Sequence, residues 1–139
     1  MNLIADTSVW SFALRRVRPD SGNVWLKAFR AHVDLTDNIL LLGPIIQELL
    51  EGMRSPSEVD RLIQELAPFP FLPTERGTHI AAARIRNACQ ARGVQAGHVD
   101  CLIAAACVEH GFPLLTADAD FVHIAKHSGL ALLPPIPKI

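Results

Sequence analysis

The three cysteines, Cys89, Cys101 and Cys107, include no CxxC pair, and their odd number offers no disulfide framework. Cys101 and Cys107 stand in an alanine-rich apolar stretch, where a free thiol behaves as a small hydrophobe. A reducing, cytoplasmic setting is the expectation. Long hydrophobic runs are missing as well. Ile39–Leu42 and Leu102–Val108 fall far short of the ~18 residues that a membrane span needs, and Asp6 interrupts the start of the chain before a signal peptide's apolar segment develops. A soluble protein without membrane contact is expected. There is no excess of positive charge either: 13 basic and 14 acidic residues leave a formal net charge of -1. The whole molecule therefore exerts no pull on nucleic acid, and any such activity needs a local basic patch or a metal ion.

Several catalytic signatures are also lacking. No glycine-rich phosphate loop is present, which argues against a nucleotide-dependent kinase or ATPase. Ser8 has no evident His–Asp pair, against a serine hydrolase. His123 and His127 have metal-ligand spacing, but residue 124 is isoleucine, so there is no HExxH motif. The first acidic motif, Asp6-Thr7-Ser8, lacks the second aspartate of an acylphosphate phosphatase.

What is present suits one domain, residues 1–139, half hydrophobic and 19% charged. Asn2–Ala5 and Ile39–Leu42 read as short buried strands, the second closed by Gly43-Pro44. A helix follows Pro19-Asp20-Ser21, with Val24, Trp25, Ala28 and Phe29 on one side. Ile45, Ile46, Leu49, Leu50 and Met53 recur at helical spacing, with Glu48 and Glu51 off that stripe. Further helices are expected over Glu58–Leu66, Thr74–Arg92, His98–His110 and Asp118–His127, and strands over Phe69–Leu72 (at a sheet edge), Pro113–Leu115 and Leu130–Leu133. The aromatics Trp10, Phe12, Trp25 and Phe29 read as core more readily than as base-stacking platforms. Strands alternating with helices give an α/β fold with a short, mainly parallel sheet flanked by helices, whose site forms beyond the carboxyl ends of the strands.

That rule gives the acids a place. Asp6 follows the first strand directly, and Asp118 follows the strand at Pro113–Leu115. Asp100 lies in the first turn of a helix, whose positive end favours a carboxylate, and Glu48 lies on the helix after the second strand. Taken singly, each has an ordinary explanation as a cap, a first-turn acid or a solvated side chain. Asp6, abutting an apolar strand and followed by two hydroxyl residues, suits metal ligation better than packing. Four converging acids, with Asp120 as a fifth, repel one another by about 4 kcal/mol per pair at ~4 Å and an effective dielectric near 20. A divalent cation resolves this, and oxygen-only ligands select Mg²⁺ or Mn²⁺ over Zn²⁺. Such a site points to phosphoryl chemistry with water as nucleophile.

Four stretches carry a family resemblance: Asp6-Thr7-Ser8-Val9-Trp10, Gln47-Glu48-Leu49-Leu50-Glu51-Gly52, Asp100-Cys101-Leu102-Ile103-Ala104-Ala105-Ala106 and Leu115-Thr116-Ala117-Asp118-Ala119-Asp120-Phe121. In order and spacing the chain resembles the PIN-domain nucleases, and among them the VapC-type toxins of bacterial toxin–antitoxin pairs. The resemblance implies a three-layer α/β/α fold and an Mg²⁺- or Mn²⁺-dependent endoribonuclease. It further implies a homodimer held inactive by a cognate VapB-type antitoxin. By match to the family motif, Asp6, Glu48, Asp100 and Asp118 take the catalytic and metal-binding positions, Ser8 and Thr116 support them, and Asp120 falls where many relatives carry a further acid. Asp6→Asn or Asp100→Asn is expected to abolish cleavage with the fold intact, and Asp120→Asn to do less. Arg15, Arg16 and Arg86 are candidate RNA phosphate contacts, with Arg84 and Arg92 on the same long helix; the ordinary reading of each is a solvated helix face. The same acids also fit a DNA nuclease or a phosphatase, and the fold alone fits a non-catalytic RNA-binding module.

Overall fold

Three consecutive residues of the first strand, Leu3, Ile4 and Ala5, are fully buried, as expected of a central parallel strand covered on both faces. The computed structural model describes residues 1–14 and 22–139. Within them β1 (Asn2–Ala5) pairs in parallel with β2 (Asn38–Leu42) on one side and β4 (Leu114–Leu115) on the other, and β3 (Phe71–Leu72) pairs in parallel with β2. The sheet order is β3-β2-β1-β4. From β1 the chain steps outward to β2 and β3, then crosses back to lay β4 against the other side of β1. Right-handed crossovers running in opposite directions put their helices on opposite faces.

The helix contacts divide in that way. α1 (Thr7–Leu14), α2 (Val24–Asp34), α3 (Gly43–Glu51) and α4 (Pro56–Leu66) pack with one another and with β1 and β2. α5 (Arg76–Ala91), α6 (His98–His110) and α7 (Asp120–Ala125) form the second group. The result is the three-layer α/β/α arrangement. α6 is enclosed almost all round: Cys101, Ile103, Ala104, Ala105, Ala106 and Cys107 are all buried, and its small side chains permit close approach to the neighbouring elements. The thiols of Cys101 and Cys107 are pushed by burial to about 11 and about 12, so they stay protonated and inert at neutral pH. All three cysteines are free and buried. Under the first helical layer, Trp10 packs edge-on against Phe29 at 4.9 Å and Phe69 at 4.8 Å, so it serves the core and not a base. No helix among the described residues is long and apolar enough to cross a membrane.

Several expected boundaries shift, each for a local reason. Gly43-Pro44 opens α3 as well as closing β2, because proline fits the first helical turn, where its missing N–H is not needed. Leu26, off the expected stripe, is buried on α2, whereas Val24 is 47% exposed. α5 starts at Arg76 because Glu75 and Thr78 cap one another's backbone N–H groups. α7 is shorter than Asp118–His127, since Asp118 folds its side chain back onto the Asp120 N–H. Leu130–Leu133 is not a full strand. Between Gly129 at φ 78° and the prolines beyond Leu133 there is room only for a single bridge, Leu132 to Leu114. α1 has no counterpart among the expected elements.

α6 ends at Gly111 in the left-handed conformation, φ 68°, with the Phe112 N–H returning to the Cys107 carbonyl at 2.9 Å. A Cβ there would meet no atom within 4 Å, so Gly111→Ala carries only the backbone penalty. We expect a loss of about 1 kcal/mol in the urea unfolding free energy with activity intact. An unchanged urea midpoint would contradict this account of the cap.

Candidate active site

The register of the parallel strands decides what meets at their carboxyl edge. Ala5 pairs with Leu115, so the next residues, Asp6 and Thr116, emerge side by side. The Thr116 hydroxyl donates to Asp6 Oδ2 at 2.7 Å and accepts from the Asp118 N–H at 3.0 Å. Ser8 Oγ donates to Asp6 Oδ1 and accepts from the Ala117 N–H at 2.9 Å. Two hydroxyls thus join the exits of β1 and β4, the point where the strand order reverses and α/β sheets open a crevice.

Asp6 is 4% exposed. Burial pushes its carboxyl above the ordinary value, while the Ser8 and Thr116 hydroxyls and the Val9 N–H pull the other way; the charge of Asp118 adds a smaller upward push. Asp6 also caps α1: its backbone carbonyl accepts from Val9 and Trp10, and its side chain faces the Val9 N–H. An N-cap aspartate following a buried strand was the available signal for α1.

The other acids reach this point from separate elements. Asp100 sits in the first turn of α6. Its carboxyl is pushed up to about 6, first by burial and then by the charges of Asp118, Asp6, Asp120 and Glu48, in that order. All four remaining acids are therefore within electrostatic reach of Asp100. Asp118 Oδ1 accepts from the Asp120 N–H at 2.9 Å, a turn that swings the Asp120 carboxylate alongside. Carboxylate oxygens of Asp100, Asp118 and Asp120 lie within 4.8 Å of one another. Glu48, exposed on α3, accepts from the Thr7 hydroxyl at 2.9 Å and lines a cleft of about 400 Å³ with Ser11, Leu49 and Met53.

The structure thus brings Asp6, Glu48, Asp100, Asp118 and Asp120 together, with Ser8 and Thr116 between them. Asp120, ranked last from sequence, belongs to the tightest trio by distance. Thr7 is the residue that sequence reading passed over; a hydroxyl directly after the strand-ending acid was its only signal. Arg15 and Arg16 lie outside the described residues. Arg86 is half-buried on α5, its Nε donating to the Ala96 carbonyl at 3.0 Å across the α5–α6 connection. It lines a separate cleft of about 370 Å³ with His79, Asn87 and His98.

Among the described residues, no lysine or arginine pairs with any of the five acids. A bound divalent cation would offset their mutual repulsion. Oxygen ligands of a small divalent ion at ~2.1 Å stand at most about 4.2 Å apart, and one oxygen from each of Asp100, Asp118 and Asp120 lies within 4.8 Å of the other two. Every donor in the trio is a hard oxygen, so the set fits Mg²⁺ or Mn²⁺ in preference to thiophilic metals.

Residues 3–127 match the model of the PIN domain. Nothing among curated proteins matches the chain. Among solved structures, VapBC2 from Rickettsia felis, bound to a promoter DNA fragment, aligns with a TM-score of 0.76 at 17% identity, covering 96% of this chain and 98% of that one. VapBC-1 from nontypeable Haemophilus influenzae aligns with a TM-score of 0.76 at 18% identity, covering 96% and 97%. VapBC-5 from Mycobacterium tuberculosis, a member of the VapBC family of toxin–antitoxin systems, aligns with a TM-score of 0.67 at 17% identity, covering 99% and 98%.

Proposed function

Because the chain belongs to the PIN-domain family, we propose that it is an Mg²⁺- or Mn²⁺-dependent endoribonuclease, the toxin of a two-protein module. In this reading it acts as a homodimer and is restrained by a cognate VapB-type antitoxin. The observation that carries the activity is the convergence of five acids, without a paired lysine or arginine among the described residues, at the switch point of the sheet. The toxin assignment is supported by the fold shared with VapBC proteins over almost the whole chain.

In this reading Asp100, Asp118 and Asp120 hold the cation, and Asp6, joined to the Asp118 backbone through the Thr116 hydroxyl, backs them. When bound, the ion supplies positive charge to a phosphate and lowers the pKa of water. The protein's own part is positional. Ser8 and Thr116 lock the Asp6 carboxylate from both oxygens, and Thr116 also holds the Asp118 backbone. Thr7 orients Glu48 on the cleft side, where its carboxylate can accept a proton from an attacking water.

The test is cleavage of purified RNA and DNA with Mn²⁺, with EDTA, and by Asp118→Asn. The variant keeps an Oδ1 acceptor for the Asp120 N–H, so the turn survives. We expect RNA cleavage that EDTA abolishes and the variant lowers at least ~100-fold. Cleavage that persists in EDTA rules the reading out, and cleavage of DNA alone makes the protein a DNA nuclease instead.

A further inference from the structure

Away from the carboxylates, α5 and the end of α7 form a shallow groove of about 550 Å³ whose charged lining is of one sign. Arg84 comes from α5 and Arg92 from the cap at its C-terminal end, and Lys126 and His127 follow the last turn of α7; Ser128 and Gly129 complete that side, and no acid lines it. Arg84 and Arg92 are eight residues apart, the second just past the end of α5, and so on the order of 12 Å apart along the axis. That is several times the ~3.4 Å rise per phosphate of one duplex strand. At that separation the two side chains can reach different phosphates of one strand. Among the described residues, Arg84, Arg92 and Lys126 have no carboxylate within ion-pair distance.

A local cause accounts for only part of this. The free carbonyls at the end of α7 favour Lys126, but they do not explain two arginines from α5 and its C-terminal cap converging on the same depression. Ala88, midway in sequence between the arginines, and Gly129 add little bulk to the lining. In a protein of net charge -1, such a one-signed groove is a local attraction for a polyanion.

Its position gives it a use. α7 begins at Asp120, in the carboxylate trio, and ends beside Lys126. Six residues of helix span about 9 Å. We infer that the Arg84–Arg92–Lys126–His127 groove holds the sugar-phosphate backbone of the RNA flanking the cleaved bond. Backbone contacts of this kind position a strand without reading its sequence. Arg86 is not among the residues lining this groove; it is tied to the Ala96 carbonyl and lines the other cleft.

This inference rests on the nuclease reading above, and the experiment separates the two. The probes are a single-stranded RNA long enough to leave the carboxylate cluster and reach α5, and an oligoribonucleotide too short to do so. Equilibrium binding of each is measured in EDTA across a salt series, and cleavage is measured with Mn²⁺. For Arg84→Ala with Arg92→Ala, the slope of log K against log salt for the long RNA falls by about 1.4, as two single-strand phosphate contacts are lost. The ratio of kcat/KM for long over short RNA falls about tenfold, and Arg84→Lys with Arg92→Lys restores most of both, since a point charge suffices for a phosphate. An unchanged salt slope and length preference in a variant that still cleaves RNA overturns the groove alone; so does an effect confined to binding an acidic protein. A wild-type protein that binds RNA with this slope but cleaves none upholds the groove and removes the nuclease reading.

Discussion

Asp100→Asn is expected to abolish cleavage while making the metal-free protein more stable, and Mn²⁺ should reverse the order of stability of variant and wild type. Asp100 is the point at which the charges of the four other acids converge. Its carboxyl titrates at about 6 when folded against 3.8 unfolded. Because the group is only half-buried and solvent screens it, its ionisation at neutral pH costs the folded state about 1 kcal/mol. The sign follows from proton counting. Between pH ~4 and 6 the folded state holds a proton on Asp100 that the unfolded state has released, so metal-free stability falls as pH rises through that window. Asparagine carries no charge and escapes the loss. At neutral pH in EDTA the variant's Tm should exceed that of wild type by about 3 °C, and the gap should close as pH falls toward 4. Mn²⁺ at ~100 times its Kd adds about 2.7 kcal/mol to wild type and little to the variant. Cleavage should drop at least ~10³-fold, equivalent to about 4 kcal/mol in the barrier. A variant that is less stable in EDTA and still cleaves would remove Asp100 from the centre of the site.

That result bears on how the five acids divide the work. Asp6 is buried and fixed by three donors, and it also caps α1. An amide at that position must set an NH₂ group against hydroxyls already committed as donors, so Asp6→Asn disturbs the packing at two strand ends as well as the chemistry. Asp6→Asn should therefore lower fold stability as well as activity, unlike the same change at Asp100, whose side chain supports no cap. Asp120, placed in the trio by the turn at Asp118, should affect Mn²⁺ binding more than its last rank from sequence implies.

The buried parallel strands were legible because β1 and β2 are unbroken apolar runs ending in an acid and in Gly-Pro. The carboxyl-edge rule then placed Asp6 and Asp118 without any coordinates. The α6 boundaries, His98 to His110, followed from its apolar length and the glycine after it. What sequence withheld was set by tertiary contacts. α1 was hidden because its first residues, Thr7 and Ser8, are poor helix formers that serve the neighbouring acids. Arg84 and Arg92 could be read as one helical face, but nothing in the spacing of residues 92 and 126 says that α7 ends against that face. Likewise the proximity of Asp120 to Asp100 depends on a side-chain turn and not on periodicity.

Thr116→Val should lose metal affinity and activity together although Thr116 supplies no ligand, and Thr116→Ser should recover most of both. The residue is 1% exposed, and its one hydroxyl does two jobs, donating to Asp6 and accepting from the Asp118 backbone. Valine has nearly the same shape, so packing is kept. The Asp118 N–H then loses its partner and the Asp6 carboxylate loses one of its donors. Stranding these groups costs about 1–3 kcal/mol in the unfolding free energy. It also frees the β4–α7 turn that carries Asp118 and Asp120, and loosened support of this kind typically lowers metal affinity or activity by about 10–100-fold. Serine retains the hydroxyl and gives up only a buried methyl group. The decisive measurement is calorimetric Mn²⁺ binding by the three proteins at a temperature where all are folded. Weakened binding by valine with recovery by serine makes Thr116 a positioning residue of the metal site. Equal Mn²⁺ affinity across the three, with only Tm changed, would reduce its role to holding β1 and β4 together.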